Sequence, residues 1–253
     1  TVAQSKRTKS APKSNMKPFY YVLGGVAVAG GVLIALTVLG GGKPTLAPEA
    51  KMANATSEEL VQKAKGISRG DPKSQVKLMV FSDYMCPGCG VFATQIEPQM
   101  RATFGDRVTE VYHDFPLVSI HKYSFIAARA GRCAEEQSKF WEMHDMLFAH
   151  QRDWSFTREP PIPEFTKYAT DAGLDKKAFV TCINSDKFAE LVTANMELGD
   201  RVGVGSTPTV YINGRASVNP MAWDILRKEI EQALGGPAPS PTTTTDTATT
   251  TGQ

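Results

Sequence analysis

The stretch Val76-Lys77-Leu78-Met79-Val80-Phe81-Ser82-Asp83-Tyr84-Met85-Cys86-Pro87-Gly88-Cys89 decides how this chain is read, together with Gly90-Val91-Phe92-Ala93-Thr94-Gln95-Ile96 behind it. Val76 to Phe81 is an apolar run of strand length and reads as a buried strand. Gly90 to Ile96 opens a helical pattern. Between them stand two cysteines two residues apart, at a strand-to-helix junction, which read as a redox pair. The first thiol sits where a helix exposes unpaired N–H groups and the positive end of its dipole. That favours thiolate over thiol, so Cys86 should have a depressed pKa and act as the nucleophile. One turn along, Cys89 can close a disulfide with it. Pro87 suits the first helical turn, where no N–H is needed.

Two blander readings compete, a zinc half-site and a purely structural disulfide. Zinc normally takes four ligands, often as two such pairs. The other cysteines, Cys133 and Cys182, are isolated, with no histidine at ligand spacing beside them. No metal and no cofactor is therefore assigned.

The chain has 253 residues, a net charge of +2 and four cysteines. That length allows one or two domains with ample material for a core. No basic stripe runs through the body, so nucleic acid is not implied. Four cysteines suit one reactive pair plus one further bridge in an oxidising compartment, rather than a disulfide scaffold.

The compartment is argued from the N-terminus. Residues 1–18 are basic and polar and read as a disordered cytoplasmic tail. Phe19 to Gly42 carries no charge. As a helix it would extend ~36 Å, enough to cross a ~30 Å hydrocarbon core. Lys6, Arg7, Lys9, Lys13 and Lys17 precede it, while only Lys43 and Lys51 follow nearby. The positive-inside bias keeps the N-terminus cytoplasmic and exports the rest. Tyr20 and Tyr21 sit where interfacial aromatics would. A cleaved signal peptide is the competing reading, but its apolar region is usually shorter and ends in a small-x-small site.

Beyond the span, 43–55 reads as a linker with Pro44 and Pro48. Thr56 and Glu59 match a capping box for a short helix to Lys65. Gly70-Asp71-Pro72 turns the chain into the strand ending at Phe81. The helix after Cys89 runs toward Phe104, interrupted near Pro98. Val108 to Phe115 reads as a second strand. From about 120 to 201 the pattern is helical, with Asp175 and Ser185 as candidate caps. Thr209 to Ile212 is β-rich, Asn213-Gly214 is a hairpin signal, and Ala216 to Val218 should pair back. Pro220 should open a last helix carrying Trp223, Ile225, Leu226, Ile230 and Leu234. From 236 to 253 the chain is Pro- and Thr-rich and reads as a solvated, disordered tail, with a glycosylated stalk as the other reading. The four histidines read as surface or packing residues, and Trp141, Trp154 and Trp223 as core or subdomain packing rather than a binding cage.

Taken together, the stretch from Phe81 to Cys89, His113-Asp114-Phe115-Pro116-Leu117, Cys133 to Gln137, Lys139 to His144, and Gly203-Val204-Gly205-Ser206-Thr207-Pro208-Thr209 resemble the thioredoxin superfamily. The nearer resemblance is to its exported DsbA-like branch. It covers roughly residues 57–234. It implies an α/β thioredoxin-like domain over 56–235, with a helical subdomain inserted at about 120–201; the transmembrane helix read at 19–42 precedes it. It also implies a cis peptide at Thr207-Pro208 facing the cysteines, with the Thr207 backbone free to pair with an extended substrate. Relatives with a second bridge in the insert imply a Cys133–Cys182 disulfide, two free buried thiols being the alternative.

Two departures stand out. Many relatives carry a buried acid six residues before the first cysteine, where this chain has Val80. Asp83 reads as a solvated or capping residue rather than a base. Strongly oxidising relatives often have a histidine between the cysteines, where this chain has Gly88, so a less extreme oxidant is expected. What the resemblance implies overall is a single-pass membrane protein with an extracytoplasmic catalytic domain. It would donate disulfides to unfolded exported proteins with free thiols and be reoxidised by a DsbB-like or VKOR-like membrane partner. A reductase or isomerase of the same fold, a copper-handling metallochaperone and a tethered binding module are the alternatives.

Overall fold

The structure, a computed structural model, describes residues 57–235. The expected tail, span and linker, the Thr56 half of the capping box and the C-terminal tail lie outside the described residues. Among those described, no helix is long and apolar enough to cross a membrane.

Five strands form one sheet: β1 (Ile67–Arg69), β2 (Val76–Ser82), β3 (Val108–Asp114), β4 (Thr209–Ile212) and β5 (Arg215–Ala216), in the order β1-β3-β2-β4-β5. β2 lies at the centre. It runs parallel to β3, with Val76 opposite Val108 and Ser82 opposite Asp114, and antiparallel to β4, with Phe81 opposite Thr209. Its side chains alternate between two cores, as the period of a strand requires. Val76, Leu78 and Val80 point into one core with Phe92, Ile96, Met100, Phe104, Leu226 and Ile230. Phe81 points into the other with Leu60, Phe115 and Leu198. Burial on both faces explains why this strand reads as a nearly continuous apolar run.

The parallel β2–β3 pair needs a crossover. It is supplied by α2 (Pro87–Val91), a π-helical turn (Phe92–Ile96) and α3 (Glu97–Phe104). The interruption expected near Pro98 is this wide turn. Pro98 has no N–H for the Thr94 carbonyl, and the Glu97 N–H reaches back five residues to the Phe92 carbonyl. On the other face of the sheet lie α1 (Ser57–Lys63) and the last helix of the insertion. The strand expected from Val108 is the third rather than the second. β1 was not foreseen, because three residues carry no readable alternation.

Between β3 and β4 the chain is helical: α4 (Ser124–Glu135), α5 (Phe140–Ala149), α6 (Gln151–Trp154), α7 (Ile162–Asp171), α8 (Lys176–Ile183) and α9 (Ala189–Arg201). Residues 124–134 of α4 are all buried, so α4 is the spine of the insertion. Ile126, Ala130, Phe140, Leu147, Phe165 and Phe179 share one core with Tyr84, Cys86 and Cys89. The redox stretch therefore sits where the insertion packs against the sheet. Gly199 lets α9 approach closely: a Cβ there would lie 2.5 Å from the Phe115 ring.

Local signals hold in most places. Asp175 caps α8, accepting a hydrogen bond from the Ala178 N–H at 2.6 Å. Asn213 and Gly214 turn the β4–β5 hairpin with φ of 47° and 82°, the left-handed pair that a two-residue turn of this kind needs. Two expectations fail. Ser185 does not cap α9. Its hydroxyl donates to the Cys182 carbonyl at 2.7 Å, finishing the preceding helix instead, and α9 starts after Phe188 without a side-chain cap. Pro220 does not open the last helix, α10 (Trp223–Ala233). Asn219 first makes a turn, taking the Met221 N–H on its side chain at 3.2 Å and the Ala222 N–H on its carbonyl at 3.2 Å.

Candidate redox site

Cys86 is the N-cap of α2, in extended conformation, with Pro87 in the first turn. Its carbonyl accepts the Gly90 N–H at 3.1 Å, so the two cysteines fall one helical turn apart. Both are free thiols. Cys86 is 9% exposed and Cys89 is fully buried. The Thr207-Pro208 peptide is cis, and the Cys86 thiol donates to the Thr207 carbonyl at 3.3 Å. A Cβ placed on Gly88 would lie 3.4 Å from Pro208 Cδ and 3.7 Å from Cys86 Sγ, so position 88 lies between the proline and the sulfur. The structure thus brings Cys86, Cys89, Thr207 and Pro208 together.

The two sulfurs are electrostatically unlike. The Cys86 pKa falls from 9.0 to about 5. The largest cause is a hydrogen bond from the Cys89 thiol. The Thr207 side chain and the backbone N–H groups of Cys89 and Gly88 add to it, while burial opposes it. The helix amino end therefore contributes, but the neighbouring thiol contributes more. Thr207 Oγ1 is buried without a hydrogen-bond partner among the described residues, so it has a proton to offer an ionised sulfur. Cys89 is pushed well above 9.0, first by burial and then by Cys86. Its sulfur accepts the Asp83 N–H at 3.4 Å.

Asp83 is not solvated. It is 1% exposed. Its carboxylate accepts the Met85 N–H at 2.7 Å and the Leu117 N–H at 2.8 Å, and it meets His121 Nδ1 at 2.6 Å. Nor does it cap a helix: the N-cap of α2 is Cys86, without a side-chain cap, and Asp83 instead closes a turn onto Met85 and ties the loop to Leu117. Val80 is fully buried in the apolar row of β2, and the other buried carboxylates nearby are tied to cations. Asp114 meets Arg132 Nε at 2.6 Å, and Glu97 and Glu110 meet Arg69 at 3.1 and 2.5 Å.

Two residues at the site have no sequence signal. Gln151, at the start of α6, donates from Nε2 to the carbonyls of Tyr84 at 2.7 Å and Cys86 at 2.9 Å. The helical insertion thereby holds the loop that carries the nucleophile. His121, read from the sequence as a surface or packing residue, belongs here too, paired with Asp83. The other histidines are elsewhere. His113 is buried against Asn195 at 2.7 Å, and burial lowers its pKa to about 4. His144 is buried, and His150 pairs with Asp153 at 3.0 Å. The tryptophans pack: Trp154 donates to the Leu147 carbonyl at 2.9 Å, Trp141 lies under the Arg69 guanidinium at 3.8 Å, and Trp223 meets Phe104.

Cys133 on α4 and Cys182 on α8 have their sulfurs joined at 2.00 Å, with Cα atoms 5.8 Å apart. Among the described residues no group of three or more His, Cys, Asp or Glu is arranged to hold a metal ion. A groove of about 900 Å³ runs beside the redox pair, lined by Met85, Pro87, His121, Phe148, Gln151 and Phe156 among others. An ionisable sulfur at a helix amino end, with a second sulfur behind it, can exchange disulfides with a thiol that reaches it.

Comparison with known proteins follows the same line. A family model described as thioredoxin matches residues 62–232. A Na(+)/H(+) antiporter NhaA 1 from Mycolicibacterium gilvum is 34% identical over 158 residues, 62% of this chain and 24% of that protein. The chain thus spans about a quarter of the length of the antiporter relatives it matches. Disulfide bond formation protein D from Bacillus subtilis is 28% identical over 172 residues, 66% of this chain and 76% of that one. Oxidised BdbD from Bacillus subtilis shares the fold with a TM-score of 0.61 at 22% identity, covering 76% of this chain and 99% of that one.

Proposed function

Because the chain belongs to the thioredoxin family, which its residues 62–232 match, we propose that it is a membrane-tethered thiol–disulfide oxidoreductase that forms disulfides in exported proteins outside the cytoplasm. The observation that carries this reading is the asymmetry of the pair. Cys86 has a pKa of about 5 and lies against Thr207 and Pro208, while Cys89 is buried with its pKa raised.

That asymmetry suits an oxidant. A substrate thiolate attacks the Cys86 sulfur of the oxidised pair. The Cys86–Cys89 bond breaks, and its electron pair leaves on Cys89, which takes up a proton because its surroundings disfavour the anion. A second substrate thiolate then attacks the substrate sulfur of the mixed disulfide. The substrate disulfide forms, and the electron pair leaves on Cys86, where it remains as a stabilised thiolate. Two substrate thiols have lost two electrons and the pair has gained them. The Thr207–Pro208 loop offers backbone to an extended substrate beside Cys86. Cys133–Cys182 is assigned a structural role.

The reduced pair must pass its electrons on, and a DsbB-like or VKOR-like membrane protein is the proposed acceptor. The apolar segment 19–42 would hold the domain beside it. The antiporter names of the first curated relatives, which denote membrane transporters, support a place next to a membrane. The name of the Bacillus subtilis relative, disulfide bond formation protein D, supports the direction of the chemistry.

The reduction potential of Cys86/Cys89 tests the direction. A value above about −180 mV is expected; one near −270 mV, the thioredoxin range, would move the protein to the reductases. A Cys89→Ala variant, whose Cys86 thiolate attacks substrate disulfides and forms mixed disulfides that Cys89 can no longer resolve, enriches the substrates for identification.

A further inference from the structure

The sequence places only Pro87 and Gly88 between the cysteines, neither of them ionisable, yet a histidine from another part of the chain is joined to the redox pair through Asp83. His121 is held from three sides. Its N–H donates to the Leu117 carbonyl at 2.9 Å. Its carbonyl accepts the Ser124 N–H at 3.2 Å and the Ser124 hydroxyl at 2.9 Å. Its ring meets the buried Asp83 carboxylate through Nδ1 at 2.6 Å. The backbone N–H of that same Asp83 donates to the Cys89 sulfur at 3.4 Å. One residue therefore joins the imidazole to the redox pair. The ring lines the groove that Met85 and Pro87, the two neighbours of Cys86, also line.

We propose, on the basis of the redox reading above, that His121 is a positioning residue whose imidazolium, fixed by Asp83, is the counter-cation of the Cys86 thiolate and supplies the charge that Gly88 cannot. The Asp83 carboxylate already accepts two backbone N–H bonds. It is buried, and the His121 ring is its third polar partner. The ring lies in the groove lined by Met85 and Pro87, the residues on either side of the sulfur that must bear negative charge whenever the pair is reduced. The Asp83 hydrogen bond raises the His121 pKa most, burial opposes it, and the Asp83 and Cys86 charges raise it further. The other charged groups lining the groove are Lys122, Arg152 and Asp153. Two cations against one anion leave the groove on the side that also favours a thiolate.

The consequence has a definite sign. A cation that stabilises the thiolate stabilises the reduced pair and makes the disulfide a stronger oxidant. Removing it makes Cys86 harder to ionise and the disulfide harder to reduce.

The test uses the whole chain with His121→Gln, which keeps a donor for Asp83 but no charge, and His121→Lys, which keeps the charge. Thiolate absorbance near 240 nm is followed against pH, with the oxidised protein as blank. The Gln variant is expected to raise the apparent Cys86 pKa by about one unit, the low end for a lost neighbouring charge at a part-exposed site. Its glutathione exchange equilibrium at pH 7 should move about tenfold toward the disulfide, or ~30 mV. The Lys variant should stay near wild type in both. An unchanged Gln variant, or equal shifts in both variants, would overturn the proposal, the second result meaning that the ring only shapes the loop. The wild-type protein gives a check that needs no variant. By linkage, the His121 imidazole titrates higher in the reduced than in the oxidised protein, read by NMR; equal values overturn the proposal. Lack of thiol exchange in wild type would instead defeat the functional reading, so the two failures are distinct.

Discussion

The two cysteine pairs of this chain use the same atoms for opposite ends. Cys86 and Cys89 are two residues apart, reduced, and placed so that one sulfur ionises easily and the other resists ionisation. Cys133 and Cys182 are 49 residues apart, joined, and packed between α4 and α8. The difference lies in the surroundings. The first pair has a helix amino end, the Thr207 carbonyl and Asp83–His121 around it, polar groups that interact with one redox state more than the other. The second pair belongs to the same core, beside Phe179, Ile183 and Ala134. Cys182 also lines a cleft with Glu136, Asp175, Lys177 and Lys187, but the sulfurs are joined and neither titrates. A disulfide that must turn over is placed where its broken form is stabilised. The other ties two helices of the insertion whose cysteines are 49 residues apart.

The sharpest way to break this contrast is to remove one sulfur from each pair. Cys86→Ser should lower the rate of thiol exchange with a model peptide by at least ~1,000-fold, ~4 kcal/mol of barrier. The Cys133→Ala/Cys182→Ala double variant should stay within about twofold of wild type at temperatures where it is folded. Comparable losses in both would mean that the pairs are not functionally distinct.

Stability should order the pairs the other way. The Cys133→Ala/Cys182→Ala variant is expected to lose ~2–4 kcal/mol, the usual worth of a bridge closing a loop of this size. For a domain of this length that is a melting temperature lower by ~5–15 °C. Calorimetry with Cys86/Cys89 held in a single redox state reads it; an unchanged melting temperature would remove the structural assignment.

The smallest effect concerns pH. The folded pKa of Cys86 is about 5, below the ordinary thiol value that the unfolded chain retains. Between those two values the unfolded chain binds the extra proton, so stability of the reduced protein rises with pH. The gain is complete above the unfolded thiol pKa and vanishes as pH falls through 5. Urea unfolding of the reduced and oxidised proteins at pH 5 and pH 8 should therefore show the reduced form gaining, relative to the oxidised, by ~1–2 kcal/mol once solvent screening is allowed for. A difference that stays flat with pH would show that Cys86 is not the ionised sulfur.

Much of the fold is legible because its signals are local. Val76 to Ser82 announces a strand buried on both faces through its composition alone. Asn213-Gly214 announces a turn because few other residues accept two left-handed positions in succession. Pro98 announces an interruption because it lacks a donor, although the form taken, a π-helical turn ahead of it, depends on packing. β1 is illegible because its three residues gain strand geometry only by pairing with β3. Ser185 misleads because a hydroxyl can close one helix as readily as it can open the next, and neighbouring carbonyls choose between these.

The site divides along the same line. The spacing of Cys86 and Cys89 and the strand-to-helix junction around them are properties of consecutive residues, so the chain itself carries the expectation of an unequal sulfur pair. What no stretch of consecutive residues contains is the neighbourhood: Asp83 buried rather than solvated, His121 turned onto it from 38 residues away, Gln151 holding the Cys86 carbonyl from 65 residues away. Those contacts exist only after the insertion has docked on the sheet. Electrostatic interactions depend on distance through space, and the folded chain sets that distance with little regard for separation along it.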